Sequence, residues 1–386
     1  MKIKITFLSL LFFLFNYAQI PSGYYNLAIG TGYTLKTQLH NIIKNSHTQQ
    51  NYFSIWTLYT NTAFRDNYYE NNGTLLDMYS ENPIGLDAYE YNSISQQCGA
   101  GEQQNEGECY NREHLVPQSL FNSVLPMMSD VHHIFPSDGK VNAWRGDLPF
   151  GIVWANNNLN PCNSAGSNLP CHSSNFSKKG WLNHIYHIDT SGNFNVFEPI
   201  DEFKGDIARA LLYFATRYED QIISFYDSST SGFKICMNGT SNQVFKNTFL
   251  NILIKWHLED PVSPKEIAIN NAIYNHQGNR NPYVDNPNYV CLIWPTQCQT
   301  LNAEFISKPF TCEIYPNPST DGNLYIKSNG QIDKIEIFNI NGQLIHSIDN
   351  IFETEYVLNL SITSKGIYIA KFTSENQILT KKLIIN

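Results

Sequence analysis

The spacing of apolar residues changes near residue 300, and this change constrains the fold more than any other feature of the chain. Before it, apolar residues recur at helical intervals between loops rich in Asn, Gly and Pro. After it, from about residue 312, they alternate in period two. A stripe of period 3.6 and a face of period 2 cannot be buried by the same element, so the chain reads as two separately built regions. In the first, Leu35, Leu39, Ile42 and Ile43 predict a helix. Ile207, Leu211, Leu212, Phe214 and Ala215 predict a longer one with Asp206 as its N-cap. A third is expected over 244–258. A fourth starts at Ser263-Pro264-Lys265-Glu266, where Ser caps, Pro takes the first helical position and Glu closes a capping box. In the second region, Ile335, Ile337 and Ile340 lead into Asn341-Gly342 and then Leu344 and Ile345. That dipeptide predicts a hairpin in which both turn residues take positive φ. Further strands are expected at 356–360, 366–373 and 379–385, and six or so short strands predict a small sandwich. The fold class is therefore α+β, a mainly helical domain over 19–306 followed by an all-β sandwich over 312–386.

The N-terminus and the cysteines indicate the compartment. Lys2 and Lys4 precede an apolar run over 5–15, and Ala18 offers a small residue for cleavage, so residues 1–18 read as a secretory signal peptide. The run is too short to cross a bilayer, which needs about 20 apolar residues. A soluble exported protein is expected. The eight cysteines include no C-x-x-C pair, which argues against a zinc ribbon or a thioredoxin-like site. An even number in an exported chain favours disulfides. Cys162 and Cys171 bracket a short polar loop and are expected to pair, as are Cys98 and Cys109.

Charge weighs against one class of function. Residues 19–306 carry 16 Lys and Arg against 26 Asp and Glu, a net of −10. Proteins that grip nucleic acid through many phosphate contacts are usually basic. A nucleic-acid enzyme built on this chain needs locally clustered cations or a bound metal to supply the positive field.

The stretch 109–151 carries the chemistry. It contains Asn111-Arg112-Glu113-His114-Leu115-Val116-Pro117-Gln118-Ser119, then Ser129-Asp130-Val131-His132-His133-Ile134-Phe135-Pro136, then Lys140-Val141-Asn142-Ala143-Trp144-Arg145-Gly146. Phosphodiester hydrolysis requires a base to deprotonate water and positive charge to meet the growing negative charge on oxygen. A neutral histidine, with an unperturbed pKa of about 6.5, can act as base near neutrality. A hard divalent cation can meet the charge and takes oxygen ligands such as a carboxylate and an amide carbonyl. His114, Glu113 and Asn142 supply these three groups. Pro117 ends regular strand pairing soon after His114, and Asn142 is expected on a helix over 139–145. Arg145 and Arg112 are the nearby cations. His132 and His133 read as structural. Each of these residues has an ordinary explanation alone; their joint pattern is what points to catalysis.

The stretch resembles the endonuclease I family of ββα-metal (His-Me finger) nucleases, whose members are periplasmic or secreted. Further matching segments are Leu76-Asp77-Met78-Tyr79-Ser80, Lys204-Gly205-Asp206-Ile207-Ala208-Arg209-Ala210, Thr216-Arg217-Tyr218 and Gln277-Gly278-Asn279-Arg280-Asn281-Pro282-Tyr283-Val284-Asp285, in order over roughly 22–295. The resemblance implies a ββα-metal core and non-specific cleavage of DNA, and of RNA as a further substrate, leaving 5′-phosphates. It implies Mg²⁺ or another divalent cation such as Ca²⁺ or Mn²⁺. His114 falls on the family's general base, and Glu113 and Asn142 on its metal ligands. Some members place a phosphate-stabilising Arg soon after the Glu-His pair. Residues 115–139 contain none, which leaves Arg145, with Arg112 as the alternative. The tail, with Ile314-Tyr315-Pro316-Asn317-Pro318-Ser319, Gly342, Gly366-Ile367-Tyr368 and Lys381-Lys382-Leu383, resembles a type IX secretion C-terminal sorting domain. That implies export by the type IX machinery, followed by removal of the tail or its use for surface attachment. No stable membrane insertion is expected, and the enzyme is expected to be a monomer.

Two other readings make different predictions. A surface adhesion or glycan-binding protein would explain the acidity, the aromatics and the tail, but leaves the ordered Glu-His-Asn cluster without a role. A zinc hydrolase would use His114, His132 and His133 as ligands.

Overall fold

The computed structural model describes residues 20–92, 94–99, 103–154, 159–190, 192, 194–299, 310–360, 364–374 and 377–386. The expected signal peptide, and the segment 300–309 where the texture changes, lie outside these residues. The chain divides into two compact units, Met1–Leu301 and Asn302–Asn386. Among the described residues no helix is long and apolar enough to cross a membrane.

The first unit mixes helices with short strands. Two helices, α1 (Gly32–Ser46) and α2 (Ser54–Leu58), precede an antiparallel pair, β1 (Tyr110–His114) and β2 (Ile134–Asp138), and α3 (Gly139–Arg145) follows β2 directly. A small sheet comes next, with β3 (Asn160–Pro161), β4 (Cys171–His172), β5 (Lys178–Trp181) and β6 (Asn195–Glu198) in that order. Then come α4 (Lys204–Arg217), α5 (Ile222–Ser228), α6 (Asn247–Glu259), α7 (Pro264–Gln277), α8 (Pro282–Asp285) and α9 (Asn288–Ile293).

Helix α4 is the central element. Residues 205–217 are all buried, and α1, α6 and α8 pack around it. A helix buried on every side has to pair its own polar groups. Arg209 does so by donating from Nε and Nη2 to Glu266 Oε1 and Oε2 at 2.7 and 2.6 Å. Sequence reasoning put the N-cap at Asp206. The helix instead begins at Lys204, because the Asp206 carboxylate is engaged by Lys265 at 2.8 Å and not by backbone amides. Helix α6 likewise starts later than expected, since Val244 takes a φ of 67°, outside the helical region. The Ser263–Glu266 capping box is present, with Pro264 at the first helical position.

Both expected disulfides form, Cys98–Cys109 and Cys162–Cys171, and Cys291–Cys298 is a third. Cys236 and Cys312 are buried free thiols. The first disulfide packs against the start of α3. A Cβ on Gly139 would collide with Cys98 Sγ, so this position accepts only glycine at the β2–α3 junction.

The second unit is all-β. Strands β7 (Cys312–Tyr315), β8 (Asn323–Asn339), β9 (Leu344–Asn359), β10 (Gly366–Ser374) and β11 (Gln377–Ile385) form a five-stranded sheet, ordered β11-β10-β8-β7 with β9 also paired to β8. Long β8 is shared: its first half pairs with β7 and its second with β10, while β9 runs along its other edge. The unit is thus one sheet bent around Leu324, Ile326, Ile335, Ile337, Ala370, Phe372 and Leu383, not two separate sheets of a sandwich. Its hairpin also differs from expectation. Only Gly342 takes a positive φ, of 80°, because the Asn339–Gln343 loop is longer than a two-residue turn and the register shifts at Phe338. The Tyr-Pro-Asn-Pro segment has a structural task. Asn317 donates from Nδ2 to the Lys382 carbonyl at 2.7 Å and accepts from Ile384 N at 2.9 Å, tying this turn to β11.

Candidate active site

The β1–β2 pair and α3 assemble the sequence-predicted residues. Glu113 stands opposite Phe135 and His114 opposite Ile134. Asp138 closes β2 and caps α3, accepting from Lys140 N and Val141 N, both at 2.8 Å. It also accepts from Tyr91 Oη at 2.6 Å and Gly107 N at 2.9 Å. This fixes where α3 starts, and hence where Asn142 and Arg145 lie. These two are three residues apart, so they share a helix face, and that face meets β1 through Arg145.

Glu113 is 2% exposed. Its Oε1 accepts from Tyr79 Oη at 2.9 Å and lies 3.2 Å from Arg145 Nη1. Oε2 carries no hydrogen bond among the described residues. Burial raises the Glu113 carboxyl to about 7, and the Arg145 charge opposes that rise. Arg145 is buried too. It donates from Nη1 to the His114 carbonyl at 2.8 Å and from Nη2 to the Leu115 carbonyl at 2.5 Å, and it packs on the Phe150 ring at 4.6 Å. It thereby ties α3 to the end of β1. The half-buried Asn142 side chain has no hydrogen-bond partner among the described residues.

His114 is held at both ring nitrogens. Nε2 faces the Met128 carbonyl at 3.2 Å and Nδ1 faces Gln118 Nε2 at 3.2 Å. A carbonyl can only accept, so Nε2 bears the proton, and Nδ1 is the basic nitrogen that accepts from the Gln118 amide. Tyr52, Phe121 and His133 surround the ring, with centroids 5.7, 6.3 and 5.7 Å away. Burial, followed by the neighbouring His133, lowers the His114 pKa to about 3, so the imidazole is neutral at physiological pH.

Arg112 lies beside this ring, with its guanidinium 3.5 Å from the Tyr52 ring centroid and 4.1 Å from that of Trp56. Nη1 donates to the Tyr52 carbonyl at 2.9 Å. It is only partly buried. His132 and His133 are fully interior and direct Nε2 at the Asn279 and Met127 carbonyls, at 3.0 and 2.9 Å. With His114 Nε2 on Met128, the three imidazoles aim at three different carbonyls, which is not a zinc ligand set.

Several groups here were missed by sequence reasoning. Tyr79 holds Glu113, Gln118 reaches His114 Nδ1 and Asp138 places α3. Tyr79 lies in a quoted segment, but its hydroxyl reaches Glu113 only through the tertiary fold. Asp130 is a hub that accepts from Tyr213 and Tyr218 hydroxyls, both at 2.8 Å, and from Gln277 Nε2 at 2.6 Å. It anchors the turn leading into β2.

Residues 31–288 match the family model described as Endonuclease I. Residues 313–386 match that described as a secretion system C-terminal sorting domain. The extracellular ribonuclease of Bacillus amyloliquefaciens is 32% identical over 277 residues, covering 70% of this chain and 78% of that protein. The extracellular ribonuclease of Bacillus subtilis (strain 168) is 31% identical over 278 residues, with the same coverage. Ulvan lyase NLR42 of Nonlabens ulvanivorans is 31% identical over 74 residues, 19% of this chain and 14% of that protein.

Proposed function

The chain belongs to the endonuclease I family and is a nuclease exported to the extracellular space or cell surface, and we propose that it hydrolyses internal phosphodiester bonds of DNA and RNA with His114 as general base. The observation that carries this reading is the fixed tautomer of His114, whose basic Nδ1 is held beside Gln118 at 3.2 Å.

The residues fit a divalent cation. At this site Glu113 Oε2 and the Asn142 amide oxygen are oxygen donors without a hydrogen-bond partner among the described residues, and oxygen ligands suit Mg²⁺, Ca²⁺ or Mn²⁺. Bound there, the ion would neutralise charge on the scissile phosphate and on a leaving 3′-oxygen; breaking the P–O3′ bond as water adds gives a 3′-hydroxyl and a 5′-phosphate. On this reading β1, β2 and α3 form the ββα core of the site.

His114 takes the proton of the attacking water at Nδ1 once the Gln118 amide gives up the lone pair it occupies in the substrate-free chain, and the Met128 carbonyl holds Nε2–H and so keeps the imidazolium oriented. Tyr79 and Arg145 fix the Glu113 carboxylate. Arg145 directs both Nη groups at Glu113 and the His114 and Leu115 carbonyls, and its buried Nε is closed off from solvent, so it acts as a positioning residue. Arg112, partly exposed and stacked on Tyr52, is the arginine we assign to the substrate phosphate. Residues 1–18 serve as the signal peptide, 19–306 as the nuclease and 312–386 as the sorting domain, and the enzyme acts as a monomer.

The test is plasmid and RNA digestion by the purified chain, with and without EDTA, beside His114→Ala. Loss of about 10²-fold or more in rate at unchanged circular dichroism is expected, as is arrest by EDTA. Wild-type rates for His114→Ala would refute the assignment.

A further inference from the structure

A second group of carboxylates lies outside the site described above. Asp66, Glu70 and Glu81 bring one ligand oxygen each to within 4.8 Å of one another. Asp66 is fully buried and organises its own loop, accepting from Tyr68 N and Tyr69 N at Oδ1 (3.0 and 2.9 Å) and from Asn71 N and Asn72 N at Oδ2 (2.7 and 3.4 Å). Glu81 is 1% exposed. Both of its carboxylate oxygens, and both of Glu70's, are buried with no donor to accept from, and the two carboxyl groups face each other closely enough to share a proton when one of them is protonated. None of the three carboxylates forms an ion pair with Lys, Arg or His among the described residues.

Four buried carboxylate oxygens without donors are not a stable arrangement by themselves. Leaving one buried charge unpaired costs several kcal/mol, and here the neighbours repel. Two solutions exist: protons shared between the acids, or a cation. We propose that Asp66, Glu70 and Glu81 bind a structural Ca²⁺ ion, separate from the catalytic metal. Oxygens within 4.8 Å of one another can share one ion, and three carboxylates on an irregular loop suit Ca²⁺, which takes many oxygen ligands in flexible geometry, better than Mg²⁺, which demands a near-ideal octahedron and keeps several waters. Each carboxylate has further lone pairs to offer beyond those used for backbone amides. Burial, and then the charges of Asp87, Asp66 and Glu70, raise the Glu81 carboxyl to about 9, which is the strain a divalent charge would remove. An exported protein meets calcium at concentrations that fill modest sites.

The ion has a structural task. Glu81 N donates to the Asp77 carbonyl at 2.9 Å, and Asp77 Oδ1 accepts from Tyr79 N at 2.8 Å. Tyr79 then donates to Glu113. Clamping the loop at 66–72 onto Glu81 therefore braces the turn that holds the catalytic carboxylate.

The experiment compares EDTA-stripped wild-type chain, Glu81→Gln, Glu70→Gln and Glu113→Gln by thermal melting against added CaCl₂ and by equilibrium dialysis with ⁴⁵Ca²⁺. Wild type and Glu113→Gln should gain about 5 °C or more at saturating Ca²⁺. Glu81→Gln should gain under about 1 °C and bind one Ca²⁺ fewer, while melting in EDTA no lower than wild type, since the amide relieves repulsion. Glu70→Gln gives the same readout if Glu81→Gln does not fold. Equal Ca²⁺ stoichiometry in wild type and both cluster variants would overturn the proposal. So would a calcium-induced shift lost in Glu113→Gln but kept in Glu81→Gln, which would place the ion at the active site alone. A wild-type melting point indifferent to Ca²⁺ would mean that the acids share protons, and would overturn it as well. None of these readouts depends on nuclease activity.

Discussion

Arg145→Met tests whether the buried arginine positions the site or touches substrate. The side chain is 1% exposed and lies 3.2 Å from Glu113, itself 2% exposed. Methionine keeps most of the volume against Phe150 and removes the charge and the two bonds to the His114 and Leu115 carbonyls. Breaking a buried pair by deleting one partner costs about 3–5 kcal/mol, because the other charge is stranded. The two orphaned carbonyls add to that cost, and a Glu113 that takes up a proton subtracts from it. We expect a loss of about 3–5 kcal/mol in urea unfolding monitored by circular dichroism. Glu113→Gln in the Arg145→Met background should recover about 1–3 kcal/mol, since the stranded charge is gone. A loss below about 1 kcal/mol, or no recovery in the double variant, would refute the positioning argument and return Arg145 to the role of a phosphate contact.

Acid stability follows from the interior histidines. His132, His133 and His257 are held at about 4 and His114 at about 3, burial being the first cause in each. A depressed histidine binds its proton only in the unfolded chain and so lowers stability as pH drops from about 6.5 towards 4, whereas the raised carboxyls of Glu113 and Glu81 act in the opposite sense; His257→Gln should therefore raise the urea midpoint at about pH 4.5 relative to that at about pH 6.5, compared with wild type, and an unchanged difference would contradict this. Gly139→Ala should lower the melting point sharply, by forcing Cys98–Cys109 away from the α3 start, and reduction of the disulfides should narrow the difference from wild type. Nuclease rate at fixed Mg²⁺ should fall as NaCl rises, through screening of the few phosphate contacts; a salt-insensitive rate would count against direct phosphate binding by Arg112.

The fold was legible where one local pattern decided it. Ser263 and Glu266 fix the start of α7 within four residues, and alternation in 335–345 required a hairpin whatever its partners. The exact starts of α4 and α6 were not legible, because they depend on Lys265 taking the Asp206 carboxylate and on the left-handed turn at Val244. In the site, Glu113, His114 and Asn142 stood out by residue type and spacing. Tyr79, Gln118 and Asp138 did not, since a tyrosine hydroxyl or an amide has no sequence signature until the fold brings it to its partner. The acids at 66, 70 and 81 read as ordinary loop charges for the same reason. Nothing local shows that Glu81 is interior.

The net charge was the strongest sequence argument against nucleic-acid binding, and burial changes its meaning. Lys36, Arg145, Arg209, Arg217, Lys265 and Arg280, six of the sixteen cations in 19–306, are buried and engaged internally. Asp66, Asp77, Glu81, Glu113, Asp130, Asp138, Glu198, Asp206 and Glu266 are buried as well. The surface is therefore less negative than the composition, yet also poorer in cations, so a polyanion meets few side chains that could hold it. Such an enzyme cannot obtain its rate from tight ground-state binding. Its positive charge has to appear where charge develops on the phosphate, which is the most economical place for it, since only interactions stronger in the transition state accelerate the chemistry. The proposed site is organised in that sense: the interior arginine fixes the carboxylate assigned to the metal, the carbonyl of Met128 fixes the histidine assigned as base, and Arg112, the partly exposed arginine assigned to the phosphate, is ordered between two aromatic rings.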